Sequence, residues 1–112
     1  MAVLRPPRGL IIDLITPLTR DGKIDGRFLG KHLDRIIPHV NALFLSSPYM
    51  GEGLVLKPEQ REDLFEKSLV VIRGLIPVFM WITGDTIEKT RELLISLKKK
   101  MALRSYTGRG NL

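Results

Sequence analysis

Five residues able to hold a small anion or handle its protons fall within one short window: Ser46, Ser47, Tyr49, Gly51 and Glu52. Hydroxyls both donate and accept hydrogen bonds, a glycine bares its backbone N–H, and a glutamate adds an acid. Such a set suits a small carboxylate. The same stretch also reads as a Pro/Gly surface loop in which Glu52 is solvated or caps the following helix, and both readings stand. Asp13 lies between Ile12 and Leu14. A carboxylate inside an apolar strand is costly unless paired or hydrogen-bonded, and such groups are enriched at functional sites. A satisfied structural acid, or one at a watery strand end, is the commoner case. His32 and His39 are separated by Pro38, and no acidic cluster completes a zinc or iron site with them. His32 is read as a partly buried helix residue and His39 as a loop residue. Phe79 and Trp81 have the rings to stack on a ligand, yet their apolar setting assigns them to the core. There is no cysteine, which excludes disulfides and thiolate chemistry.

The elements that must position these residues alternate. Gly9 to Ile15 is short, β-branched and ended by Thr16-Pro17, as a buried strand would be. Asp21-Gly22 makes a turn, and Asp25 caps a helix whose apolar face is Phe28, Leu29, Leu33, Ile36, Ile37 and Val40. Pro38 ends that helix near Ile37. Ala42 to Leu45 is a second strand. The loop 46–57 follows, then a helix opening at Pro58-Glu59 with Leu64, Phe65, Ser68, Leu69 and Ile72 inside, closed by Gly74. Val78 to Ile82 is apolar on both faces, the mark of a parallel strand covered on each side. Asp85 or Thr86 caps a third helix facing inward through Ile87, Leu93, Leu94 and Leu97, with Glu88 completing a capping box on Asp85. The order β-α-β-α-β-α predicts an α/β fold with parallel strands and right-handed crossovers. A doubly wound sheet and a piece of barrel fit it equally, and no Gly-x-Gly-x-x-Gly follows the first strand to favour a dinucleotide site.

The 112 residues allow one domain. A 44% apolar share argues against disorder throughout. The net charge of +6 is concentrated in Lys98, Lys99, Lys100, Arg104 and Arg109, and without these five the chain stands at +1. The basicity belongs to a tail, so nucleic acid is not the expected partner. No apolar run approaches the ~20 residues of a membrane span, and Met1 to Pro7 lacks a leader's apolar region. A cytoplasmic protein is expected.

The spaced set Thr16-Pro17, Asp21-Gly22, Ile24-Asp25, Gly51-Glu52, Leu56, Glu59-x-Arg61, Pro77-Val78 and Gly84-x-Thr86 resembles the start of the dihydrodipicolinate synthase / N-acetylneuraminate lyase family of (β/α)8-barrel aldolases. The likeness covers roughly residues 9 to 97. It implies three βα units of a TIM barrel, a fold of ~250 residues when whole. The chain divides accordingly into an extension (residues 1–8), the (βα)3 part (9–100) and a basic tail (101–112) that does not match.

The resemblance also implies chemistry. The parent class is a pyruvate-dependent carbon–carbon lyase or synthase working through a lysine Schiff base, with no metal and no organic cofactor. In the family a Gly-Thr-Thr-Gly-Glu run holds the pyruvate carboxylate and relays protons. Here the matching segment is Pro48-Tyr49-Met50-Gly51-Glu52. Tyr49 keeps a hydroxyl with a different reach, Met50 has no donor, and only Gly51 and Glu52 carry over unchanged. Asp13 stands where the family has a small apolar residue of the barrel interior. The family's Schiff-base lysine belongs to a later strand. A substitute must lose its charge through burial or a neighbouring cation, and Lys57, near the loop's end, has no apolar surroundings. Tyr106 does not match the family's tyrosine in context. These 112 residues are therefore expected to be inactive alone and, with open strand edges, to self-associate. The alternative is a degenerate, non-catalytic relative that serves as a binding or association module.

Overall fold

The computed structural model describes residues 8–110, with side chains as far as residue 102. The N-terminal extension and leader readings on Met1–Pro7, and the side chains of Arg104, Tyr106 and Arg109, lie outside that range.

The elements follow the alternation: β1 (Ile11–Asp13), α1 (Gly26–Ile36), a 3-10 turn (Ile37–His39), β2 (Ala42–Leu45), α2 (Pro58–Ile72), β3 (Val78–Met80) and α3 (Ile87–Gly110). The strands pair in parallel in the order β1-β2-β3. Asp13 lies beside Phe44 in the register, and Phe44 beside Phe79. β1 and β3 are shorter than their apolar runs predicted. Just past their carboxyl ends the Leu14 and Trp81 amides still donate to the Phe44 and Leu45 carbonyls, at 3.0 and 3.1 Å.

The helix boundaries have local causes. Asp25 accepts a hydrogen bond from the Phe28 amide at 3.0 Å and starts α1. Pro38 cannot extend a regular helix, so the chain tightens into the 3-10 turn that holds His39. α2 begins on Pro58 and ends with Arg73 and Gly74 both left-handed, at φ 51° and 71°. Thr86, not Asp85, caps α3: its Oγ1 accepts from the Lys89 amide at 3.1 Å. Asp85 instead faces the Lys89 ammonium at 3.6 Å. α3 continues past the 9–100 part into the tail, as far as Gly110. Met101, Ala102 and Leu103 are good helix formers even without an apolar face to bury.

Leu14, Leu43 and Leu45 point to one side of the sheet and meet Leu29, Leu33, Leu64, Phe65, Ile72, Leu93 and Leu97 from the three helices. All the helices therefore cover the same face. Ile11, Asp13, Phe44 and Phe79 alternate onto the other face, where Phe79 is 43% exposed. The two-sided apolar character of β3 predicted cover on both sides, and the described residues cover one. Three helix assignments also change. Phe28 leaves the core and stacks on the His32 ring at 5.9 Å between centroids, while Ile87 and Leu94 are exposed on α3. Among the described residues, no helix is long and apolar enough to cross a membrane.

Candidate functional site

The carboxyl ends of the strands carry the loops before α1, α2 and α3, the place where βα folds assemble sites. The loop after β2 is built around Ser47. Its Oγ accepts from the Met50 and Gly51 amides, both at 3.1 Å, and its carbonyl accepts from the Gly53 amide at 2.8 Å. The Ser46 hydroxyl donates to the Trp81 carbonyl at 2.8 Å. The Thr16 hydroxyl donates to the Gly51 carbonyl at 2.5 Å, joining the end of β1 to the loop. Thr16, Ser46 and Ser47 are all buried. Two of the hydroxyls singled out as anion ligands are thus engaged in folding the loop. Thr16, quoted in the sequence as a strand end and as the first member of the spaced set, is one of its anchors.

The loop is tight as well as bonded. Ser46 and Glu52 adopt left-handed backbone at φ 50° and 57°, a conformation that costs a non-glycine residue roughly 1–2 kcal/mol. A Cβ on Gly53 would lie 2.0 Å from the Ser46 carbonyl oxygen and 2.7 Å from the Trp81 ring, and one on Gly51 would lie 2.5 Å from the Ser47 nitrogen. Only glycine fits at either position. Strain of this kind, held by surrounding bonds, clusters at functional sites.

Arg61 carries the clearest signal that the sequence reading left unused beyond its place in a motif. It sits on α2 with 6% of its surface exposed. Its Nη1 donates to the Thr83 carbonyl at 2.8 Å and its Nη2 to the Gly53 carbonyl. The guanidinium lies 5.1 Å from the centre of the Trp81 ring, and Nε has no partner among the described residues. Burial pulls its pKa below the usual arginine value, while the Asp85 carboxylate works the other way. It remains a cation under all ordinary conditions. Beside it a cleft of about 430 Å3 runs between Leu54–Pro58 and Trp81–Asp85, with Lys89 and Leu93 along one wall.

The remaining predicted residues stand apart from this knot. Tyr49 is 88% exposed and Met50 is exposed with it at the loop tip. Glu52 is exposed, Gly51 is buried, and Asp13 is exposed on the open face of the sheet. Lys57 is exposed at the first turn of α2, where its amide donates to Gln60 Oε1 at 2.7 Å. None of the lysines among the described side chains is buried. Lys67, Lys89 and Lys100 face Asp63, Asp85 and Glu66.

No protein-family model and no curated protein sequence matches the chain. Solved structures do. A dihydrodipicolinate synthase from Aquifex aeolicus superposes with a TM-score of 0.74 at 25% identity, over 82% of this chain and 31% of that one. The chain resembles the N-terminal portion of the dihydrodipicolinate synthase / N-acetylneuraminate lyase family. YagE of E. coli K12, a prophage protein of that synthase family solved in complex with pyruvate, gives a TM-score of 0.75 at 25% identity over 82% of this chain and 31% of that one. An N-acetylneuraminate lyase from Mycoplasma synoviae shares the fold at 0.73 and 23% identity. The chain spans about a third of the length of these structures. Its sheet and helices have the architecture of part of a TIM barrel.

Proposed function

We propose that these 112 residues form the N-terminal (βα)3 part of a cytoplasmic, pyruvate-dependent carbon–carbon lyase or synthase acting through a lysine Schiff base. The observation that carries this reading is the likeness to YagE, solved with pyruvate bound, combined with a Gly51-Glu52 loop at the carboxyl end of β2. On this reading the loop presents the 2-oxo acid's carboxylate side, with Tyr49, Met50, Gly51 and Glu52 at the contact and Asp13 below it. The Schiff-base lysine comes from elsewhere in the barrel, because a candidate must be desolvated and none of the lysines with described side chains is. No metal or organic cofactor takes part.

A second reading, a non-catalytic association module, draws support from Tyr49 and Met50, both exposed and neither a threonine. The nucleotide sequence following the Leu112 codon, translated in all frames, separates the two. Further βα units with a lysine-bearing strand are expected for the lyase reading. Their absence in every frame would leave the association module.

A further inference from the structure

Arg61 lies outside the loop assigned to the carboxylate, yet it touches that loop's backbone. Its two terminal nitrogens bond carbonyls from different βα connections, Gly53 after β2 and Thr83 after β3. A rigid guanidinium fork sets the separation and angle of the two acceptors it joins. Trp81 closes one side of the guanidinium at 5.1 Å, and the Trp81 carbonyl is itself held by Ser46 Oγ at 2.8 Å. Arg61, Ser46, Gly53 and Trp81 thus form one closed circuit. At its centre the Gly53 Cα is pressed so close to the Ser46 carbonyl and the indole that no side chain fits. The Gly53 amide returns to Ser47, whose hydroxyl fixes the Met50 and Gly51 amides.

We propose that Arg61 is the positioning residue of the 46–57 loop: its fork, seated on Trp81, holds Glu52 in its left-handed conformation and sets where the Met50 and Gly51 amides point. The assignment rests on the reading of that loop as a carboxylate site only for its consequence, not for the latch itself. A lysine has one point of donation and cannot span both carbonyls, so Arg61→Lys keeps the charge and breaks the fork.

Trp81 is the single tryptophan of the chain, so its fluorescence reports on the latch directly. Arg61→Lys is expected to keep the far-ultraviolet circular dichroism of the parent. It should shift the Trp81 emission and raise amide exchange at Gly51 and Gly53 at least tenfold, while β2 amides at Leu43 and Leu45 exchange as before. Unchanged emission and unchanged exchange at Gly53 in a folded variant would overturn the latch. If the lysine variant does not fold, the parent chain decides. A locked fork gives separate, slowly exchanging Arg61 Hη signals with nuclear Overhauser contacts to Gly53 and Thr83, and averaged signals without those contacts overturn it. Titration with pyruvate, with and without the substitution in a complete barrel bearing this loop, then tests the consequence separately. Shifts at the Gly51 and Glu52 amides that weaken at least tenfold in Arg61→Lys support positioning for the ligand. Their absence in the parent would fell the carboxylate reading and leave the latch standing, and equal affinity in both proteins would overturn Arg61 as a positioning residue for the ligand.

Discussion

At the residue scale, the sequence pointed to side chains that could meet a ligand, and folding reassigned several of them to the loop itself. Ser46 and Ser47 carry hydroxyls that could suit an anion, yet their oxygens bond Trp81, Met50 and Gly51. A hydroxyl's partner is decided by distance in three dimensions, which residue spacing does not contain. Gly53 was unremarkable in the sequence and is sterically indispensable here. Gly53→Ala places a methyl 2.0 Å from the Ser46 carbonyl oxygen and should destabilise the chain by ~1–3 kcal/mol. Urea denaturation followed through Trp81 measures it, and a change within error would mean the loop relaxes freely. The exposed lysines lead to a chemical expectation. Incubated with pyruvate and borohydride, the 112-residue chain should gain no adduct by intact mass, and a stoichiometric adduct on any lysine, Lys57 first, would refute this. Tyr49 belongs to the same scale. In a complete barrel bearing this loop, Tyr49→Phe should weaken pyruvate binding by ~1.5–3 kcal/mol if its hydroxyl reaches the carboxylate, and calorimetry showing equal affinity would remove it from the site.

At the element scale, periodicity and caps were well legible. Asp25, Pro58 and Gly74 mark helix ends by mechanisms that act within one turn, so they survive into the fold. Flanks were less legible, because Phe28, Ile87 and Leu94 are apolar at helical spacing yet exposed. α3 is anchored on α2 by Leu93 and Leu97 within the core, and by the Lys100 Nζ to Glu66 bond at 2.7 Å. That hydrogen bond, more than the charges nearby, raises the Lys100 pKa. The folded value lies above the unfolded one, so the stabilisation is fully present below the ordinary lysine range and is lost as pH rises through the raised value. Lys100→Met should therefore cost only ~0.2–1 kcal/mol at neutral pH, reduced by salt. Thermal melts at two salt concentrations check this, and a salt-independent loss would point to packing of the lysine stem instead.

At the scale of the whole molecule, three parallel strands with helices on one face leave two edges and a second face without cover among the described residues. Unpaired edges recruit other chains. Ile11, Ile15 and Phe79 are exposed large apolar residues of the strands and their ends, and contiguous exposed apolar surface favours association. The isolated 112-residue chain is expected to run well above its 12.7 kDa mass in light scattering at micromolar concentration. Phe79→Lys, which puts a charge on the open face, should lower the associated fraction. A sharp, well-dispersed heteronuclear spectrum from a monomer would overturn the expectation.

Taken alone, the sequence determined the order of elements, the parallel sheet, the helix caps and the likeness to one aldolase family. All of these rest on local geometry or on residue spacing along the chain. Only the tertiary structure decided that Arg61 reaches two loops at once, that Thr16 and the serines fold the loop, and that Asp13 and Phe79 share an uncovered face. Arg61 and Thr83 are 22 positions apart, and Thr16 and Gly51 are 35 apart. Their contacts exist because two parallel strands bring their carboxyl ends side by side, and that closeness is a property of the sheet, not of any stretch of the chain.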